Sequence, residues 1–243
     1  PLRDLASVWN FRAAYLAARK KCLAALAREQ RETGHGDTRL PNGPIDVEIQ
    51  DLPTSGGSLL SLNIPAGETC ALPCALGDAD VLFSALCGLE PVPRDQITLS
   101  GLCVTDLSRG SLRRSVHRLT STPVVLKGSL RRNLALGLQN RPSEAKLGKA
   151  AKTAGLSALV DRIGGLDGAL SEGGRDLSSA DRSALSLARI LLGKPQLVLL
   201  EDGVWHLEKT AHAALAAHLH TTGATILRHP VLANADMART QAA

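Results

Sequence analysis

The order of apolar and helical segments predicts an α/β fold. Between residues 45 and 228, short strand-like segments are separated by segments of helical character, and α/β domains are built from this alternation. The segment QLVLL, residues 196–200, is a continuous apolar run of the kind buried in a parallel sheet. With 44% hydrophobic residues among 243, the chain has enough apolar material for a packed core.

The first segment predicts a long, basic helix. Residues 5–31 are rich in Ala, Leu, Arg and Lys and contain neither Pro nor Gly. Residues 1–28 carry six basic residues against one acidic residue, whereas the remainder of the chain balances at 22 basic and 22 acidic residues. The overall charge of +5 therefore resides in this helix, and a nucleic-acid-binding surface spread over the domain is not expected.

Three of the five aromatic residues, Trp9, Phe11 and Tyr15, lie in the same helix. Basic residues and interfacial aromatics are typical of a segment just below a membrane on its cytoplasmic side. We therefore expect residues 1–32 to continue from the membrane domain of a longer polypeptide. The alternative, a helix that packs its aromatics on its own domain, stays open. No segment of the chain is apolar for long enough to span a bilayer.

The later elements follow from local patterns. Gly, Pro and Asn predict a linker over residues 33–44. IDVEIQDL, LLSLNIPAGETCAL and ITLSGLCV then predict strands and turns, and VLFSALCGLEP predicts a short helix. From about residue 122 to residue 182, the sequence pattern is that of helices interrupted by glycines, which indicates an inserted helical subdomain. Ser178 is a helix N-cap with Asp181 in the capping-box position, and KTAHAALAAHLH and ATIL predict a last helix and strand.

The cysteines do not indicate a metal site or a disulfide framework. Five cysteines is an odd number, and no C-x-x-C pair occurs among them. We expect reduced, mostly buried thiols; a metal site built from Cys70 and Cys74 is the open alternative.

Residues 46 to about 236 resemble the nucleotide-binding domain of ABC transporters, of the type fused to the membrane domain of an exporter. The resemblance rests on IPAGET, GLEP, LKGSLRRNLALG, GGRDLS, LSLARILL, PQLVLL and ATILRHP in this order. It implies a P-loop NTPase-like ABC ATPase domain at residues 45–243, with an antiparallel β portion and the helical subdomain. It also implies ATP and Mg²⁺ as ligands.

The residues at the phosphate-contacting positions differ from those of that family. A phosphate loop needs glycines, a Lys for the β and γ phosphates, and a hydroxyl for Mg²⁺. Here the loop reads PCALGDADVLFS. Only Gly77 is retained. Asp80 takes the Lys position when residues are counted forward from the IPAGET segment, and Ala79 takes it when they are counted back from the GLEP segment. With Asp80 at that position, Val81 replaces the hydroxyl.

The resemblance places the remaining nucleotide-facing positions as follows. Ser121 stands where the family has the Gln that reaches Mg²⁺ and the attacking water, and the L-S-G-G-Q signature becomes residues 177–181, which include Ser178. Side chains at positions 179 and 180 obstruct a close approach to phosphate.

The metal-binding Asp and the catalytic Glu of the family appear in swapped order, as Glu201 and Asp202. His229 takes the place of the γ-phosphate-sensing His, either as a retained nucleotide contact or as an ordinary loop histidine.

These positions predict a degenerate domain of an exporter subunit. We expect weak or absent binding of ATP and Mg²⁺, with docking and coupling in place of hydrolysis. The alternative is a slow or partner-assisted ATPase, so enzymatic activity is left open. Implied partners are the membrane domain of the same polypeptide and a second ABC subunit, expected to form a heterodimer, at the cytoplasmic face of the inner or plasma membrane.

Overall fold

The computed structural model of the chain describes residues 2–26, 36–138 and 140–229, which fall into two units divided between residues 33 and 34. In chain order the elements are α1 (Leu2–Leu26), β1 (Val47–Pro53), β2 (Leu59–Ile64), β3 (Thr69–Ala71), α2 (Leu76–Leu86), β4 (Ile97–Leu99), β5 (Leu102–Cys103), α3 (Arg109–Ser115), β6 (Val116–Leu119), β7 (Gly128–Ser129), α4 (Leu130–Leu134), α5 (Glu144–Thr153), α6 (Ser157–Ile163), β8 (Ala169–Leu170), α7 (Ser179–Leu192), β9 (Leu197–Leu200), α8 (Lys209–Thr222) and β10 (Thr225–Arg228). Short 3-10 helices lie at Val104–Asp106, Glu172–Gly174 and Asp202–His206.

The described part of the first unit is the helix α1. Trp9, Phe11 and Tyr15 are 65–75% exposed. The Arg12 guanidinium lies 5.9 Å from the centroid of the Trp9 ring, a cation–π contact. Residues 27–31, where the helix was predicted to continue, lie outside the described residues. In the described part of the chain, no helix combines the length and apolarity that crossing a bilayer requires.

The second unit contains the predicted α/β fold with its antiparallel portion. One sheet has the strand order β2-β1-β4-β5 with antiparallel pairing. The other has the order β3-β10-β9-β6 with parallel pairing throughout. A short two-stranded antiparallel sheet of β7 and β8 lies in the helical subdomain predicted for residues of about 122–182, together with α4, α5 and α6.

The core lies on both faces of the parallel sheet. The apolar strand β9 is an interior strand, and all four of its residues are buried. Because side chains alternate along a strand, Leu197 and Leu199 join the apolar cluster around Phe83, whereas Val198 and Leu200 join the cluster around the helical subdomain and α7. The prediction of a doubly buried strand at QLVLL is confirmed.

Serine caps fix the starts of several helices. Ser108, Ser129 and Ser143 each accept a hydrogen bond from the backbone N–H three residues on. At α7 the predicted capping box is present. Ser178 Oγ accepts from the Asp181 N–H at 3.0 Å, and Asp181 Oδ2 accepts from the Ser178 N–H at 3.1 Å.

Part of the predicted linker at residues 33–44 is packed on the second unit. The N–H of Gly36 donates to Thr105 O at 2.9 Å, and Thr38 forms an isolated bridge with Leu107. Leu40 is 8% exposed, and its N–H donates to Ser111 Oγ. The Gly and Pro content of residues 33–44 predicts an irregular backbone path. Residues 36–40 are nevertheless held by these contacts and are not a free tether.

Two truncations separate the helix from this packed segment. Removal of residues 1–33 should lower the melting temperature by less than about 3 °C, because 1 kcal/mol shifts a domain of this size by about 2–4 °C. Removal of residues 1–40 should lower it by at least about 6 °C, since it also exposes the Leu40 pocket, worth about 2 kcal/mol, and breaks several hydrogen bonds. Both variants are compared by calorimetry. A drop above about 10 °C in the shorter truncation would show that α1 belongs to the core.

Candidate functional site

The carboxyl edge of the parallel sheet gathers several of the predicted site residues. Glu201 follows β9, and its N–H donates to Leu119 O at 3.0 Å. His229 follows β10, and its N–H donates to Leu200 O at 2.9 Å. Asp80 lies on α2, the helix that follows β3. Ligands of open parallel sheets bind at such an edge.

The segment expected to form a phosphate loop is helical instead. The sequence pattern predicted a helix that begins near residue 81, but α2 begins at Leu76. The predicted helix start was therefore wrong. Asp78 in the first turn of α2 makes a tertiary contact that the sequence pattern did not indicate: its carboxylate accepts hydrogen bonds from Ser55 N at 2.8 Å and from Ser55 Oγ at 3.2 Å.

The geometry of α2 distinguishes the two candidates for the Lys position. Ala79 lies on the buried face of α2 and is fully buried, and its N–H donates to Ala75 O at 3.0 Å. The Asp80 side chain is 66% exposed, and its Oδ1 atom lies 3.5 Å from Nε2 of His229. Asp80, and not Ala79, therefore points toward the edge where Glu201 and His229 lie.

The other two candidates on α2 lie in its exposed surface. A Cβ atom added at Gly77 would meet nothing within 4 Å, so no close approach requires glycine there. Val81 is 56% exposed and brings no hydroxyl. Beside the start of α2 lies a cavity of about 740 Å³, lined by residues 54–60 and 71–78; Asp78 is its charged lining residue. This cavity presents no cationic side chain to an anion.

His229 is held within the domain. It is 8% exposed, and its ring meets Phe83 edge-on, with centroids 6.0 Å apart. Among the described residues, its buried Nε2 atom makes no hydrogen bond, although the Asp80 carboxylate lies close. Protonation of His229 would convert this proximity into an ion pair.

Arg118 of β6 contacts Glu201, and the sequence patterns did not indicate this pair. The Nε and Nη2 atoms of Arg118 both contact Oε1 of Glu201. Nη1 of Arg118 lies 3.4 Å from Oγ of Ser84 on α2. The side chain of Glu201 is 9% exposed and that of Arg118 is 25% exposed. The carboxylate that resembles the metal ligand is therefore engaged by an internal cation.

The thiol next to this pair is unreactive. Burial raises the pKa of Cys87 to about 11, with Arg118 lowering and Glu201 raising it to lesser extents. In the described part of the chain, no three side chains of His, Cys, Asp and Glu converge as a metal cluster would require. Cys70 and Cys74 are free thiols whose pKa values burial raises.

The loop after β6 is packed tightly against the turn that follows β9. A Cβ atom at Gly203 would lie 2.6 Å from the backbone carbon of Thr120, so only glycine fits there. Thr120 N–H donates to Ser186 Oγ at 3.3 Å, and Ser121 follows it, half-buried. The sequence patterns missed Gly203, because its partner is about eighty residues away. Asp202 lies in the same turn, and its side chain is outside the described residues.

The signature-like segment starts α7, and its acidic residue is paired. Asp181 Oδ2 lies 2.9 Å from Arg162 Nη2 on α6. Burial raises the pKa of Asp181, but Arg162 and the bonds from Ser178 outweigh it, and the pKa is lowered. Ser178 forms its hydrogen bonds with Asp181, away from Glu201 and His229. The charge expected from Asp181 is thus compensated within the domain.

The chain has many relatives among ABC transporters. No protein-family model matches it. It is 32% identical over 161 residues to the uncharacterized ABC transporter ATP-binding protein YwjA of Bacillus subtilis, with 64% of this chain and 27% of that protein covered. It is 26% identical over 241 residues to the ATP-dependent lipid A-core flippase of Albidiferax ferrireducens, with 94% of this chain and 42% of that protein covered. The chain therefore spans less than half the length of these relatives.

A solved structure of an ABC exporter also matches the fold of this chain. A bacterial Atm1-family ABC exporter with ATP bound superposes with a TM-score of 0.68 over 94% of this chain and 42% of the exporter chain, at 19% sequence identity. The mixed α/β architecture, with its antiparallel sheet and helical elements, thus matches the ATPase fold of an ABC exporter. By its sequence relatives and its fold, the chain resembles the nucleotide-binding domains of ABC transporters.

Proposed function

We propose that this domain serves an ABC exporter subunit as a docking and coupling partner and does not hydrolyse ATP. In this role it would follow a membrane domain of the same polypeptide, face a second ABC subunit as a heterodimer, and lie at the cytoplasmic face of the membrane. Motion would pass through packed surfaces between the domains, which requires the fold but no phosphate chemistry.

The start of α2 is the observation that carries this proposal. A helical turn runs through the residues that would form the phosphate loop, and the Asp80 carboxylate points to the edge where a Lys is required. No side chain caps the start of α2 at Ala75, but the acidic residues Asp78 and Asp80 of this helix oppose the binding of a phosphate there.

The metal position supports the same conclusion. Mg²⁺ prefers carboxylate oxygens and water, but Glu201 is neutralised by Arg118. A second cation beside Arg118 would be repelled. These residues do not fit Mg-ATP, so no catalytic step is assigned to them. By resemblance, Asp202 and His229 stand at the positions of the family's catalytic base and γ-phosphate-sensing His, and they receive no catalytic role here.

The measurement of ATPase activity in matched variants tests this proposal. Unmodified protein, Asp202→Asn and Glu201→Gln should all release phosphate at the rate of the buffer control, because no general base acts on a bound substrate. Working enzymes turn over at about 1–1,000 per second, so activity above about 0.1 per second is readily detected. If the unmodified protein exceeds that rate and Asp202→Asn loses most of it, a slow ATPase replaces the coupling role.

A further inference from the structure

A basic groove lies at the edge of the parallel sheet opposite Glu201 and His229. Its lining includes Ser115 and Gln196, which immediately precede β6 and β9, whereas Glu201 follows β9. Two adjoining cavities of about 840 and 930 Å³ share Gly193, Lys194 and Gln196 in their walls. We define the basic groove by its cationic lining residues, Arg39, Arg114, Arg141, Lys146, Lys149 and Lys194.

The groove is basic, whereas the domain as a whole is balanced in charge. Neither cavity is lined by an Asp or Glu. Beyond residue 28 the chain has equal numbers of acidic and basic residues. The lining of the basic groove, with six basic and no acidic side chains, therefore differs in charge from the rest of the domain. Within residues 36–138 and 140–229, Arg141, Lys146 and Lys194 form no ion pair. A concave surface lined by one sign of charge focuses the field on a ligand of opposite sign.

Tertiary contacts hold the walls of the groove open. Gln196 Nε2 donates to the carbonyl oxygens of Pro41 and Gly43, which fixes the wall that carries Arg39. A Cβ atom at Gly193 would lie 2.6 Å from Cε1 of His117, so a side chain at position 193 would displace the His117 ring, which also lines the groove. The groove is therefore a built feature rather than a chance gap between flexible side chains.

Two histidines and the start of α5 add polar groups, and the acidic residue of that helix start, Glu144, contacts Arg131, which does not line the groove. The Nε2 atom of His218, which lines the larger cavity, is buried and has no hydrogen-bond partner in the described part of the chain. Burial, and to a lesser extent His218, lowers the pKa of His117 to about 4, so its ring stays neutral near pH 7. The ten-residue helix α5 begins at the groove, with Ser143 as its cap and Lys146 in its first turn. The positive end of its dipole adds to the field.

From this arrangement we propose that the basic groove binds a small soluble anion that carries two or more phosphate groups. Arg presents paired donors that match phosphate oxygens, and Lys adds point charges. Cavities of roughly 300–1,000 Å³ hold small molecules, and several cations around one such space exceed what a single phosphate can engage. The same phosphate chemistry occurs on lipid headgroups, so the experiment must separate the two sources.

Calorimetric titration of the 243-residue chain with inorganic tripolyphosphate at about 50 mM salt tests the proposal. We expect one saturable event with a dissociation constant below about 0.5 mM, and binding of orthophosphate at least tenfold weaker. The double variant Arg141→Gln/Lys194→Gln should weaken tripolyphosphate binding at least tenfold. The control Lys152→Gln/Lys209→Gln removes the same charge at exposed positions outside the groove and should change binding less than about twofold.

Three outcomes would overturn the proposal. These are no saturable binding, equal weakening in both double variants, and binding only to vesicles. For the last, vesicles of phosphatidylcholine with and without 30% phosphatidylglycerol are compared in a sedimentation assay. Binding to the anionic vesicles without binding of tripolyphosphate would assign the groove to a membrane surface. Retention of the melting temperature in the Arg141→Gln/Lys194→Gln variant confirms that lost binding is not lost folding.

Discussion

Titration with Mg-ATP of the Arg141→Gln/Lys194→Gln variant, in which the basic groove no longer offers a second phosphate site, should give a dissociation constant weaker than about 1 mM, which corresponds to a binding free energy of only about −4 kcal/mol. The reason is the sign of the charge at position 80. The Asp80 carboxylate points to the edge of the sheet where the γ-phosphate contact is expected, close to His229. The cavity beside the start of α2 adds Asp78 and no cation.

The size of the electrostatic change supports this expectation. Two unit charges about 4 Å apart interact by about 4 kcal/mol at an effective dielectric constant of about 20. Replacement of Lys by Asp therefore shifts a phosphate contact by up to about 8 kcal/mol. Because about 1.4 kcal/mol changes the affinity tenfold, even a severalfold smaller effect removes micromolar binding.

Charge reversal on α2 provides the matched experiment. Added to the Arg141→Gln/Lys194→Gln variant, Asp80→Lys should strengthen the binding of ATP at least about tenfold, because it replaces repulsion by attraction. Asp78→Lys is the control with the same change in net charge, two residues earlier, where the side chain faces Ser55. It should strengthen binding clearly less than Asp80→Lys does, because the Asp78 carboxylate is already engaged by Ser55. A low-micromolar dissociation constant for the Arg141→Gln/Lys194→Gln variant would contradict the prediction.

Arg118→Met should lower the free energy of unfolding by about 2–4 kcal/mol. Breaking a buried ion pair costs about 3–5 kcal/mol because one charge is left without a partner, and the partial exposure of Arg118 reduces this cost. The variant leaves the 9% exposed carboxylate of Glu201 without its guanidinium partner. Urea denaturation at pH 7 measures the loss, and the slope of the transition should stay unchanged.

A double-mutant cycle identifies the cause. Glu201→Gln added to Arg118→Met should recover at least about 1 kcal/mol, because it removes the uncompensated charge. Arg94→Met is the matched control at the exposed ion pair with Asp106, and it should cost no more than about 1 kcal/mol. Equal losses in Arg118→Met and Arg94→Met, or additive effects in the cycle, would show that the Arg118–Glu201 pair does not stabilise the fold.

Local chemistry determined much of what the sequence predicts correctly. The capping box at Ser178 and Asp181 spans three residues, and the burial of QLVLL follows from its own composition. The absence of a Lys in the phosphate-loop segment is likewise readable without a structure. Periodicity and capping act over one or two turns, so a single sequence carries them. The α/β class and the helical subdomain could be predicted for this reason.

Contacts between distant residues could be decided only by the tertiary structure. Arg118 and Glu201 are separated by 83 positions, and the strand pairing of β6 with β9 brings them together. Asp78 contacts Ser55, 23 positions earlier, and the packing of α2 buries Ala79 while Asp80 faces His229 at the sheet edge. Likewise, residues far apart in sequence line the basic groove. The fold decides which charges meet because Coulomb energies depend on distance in space, and residue order leaves that distance open.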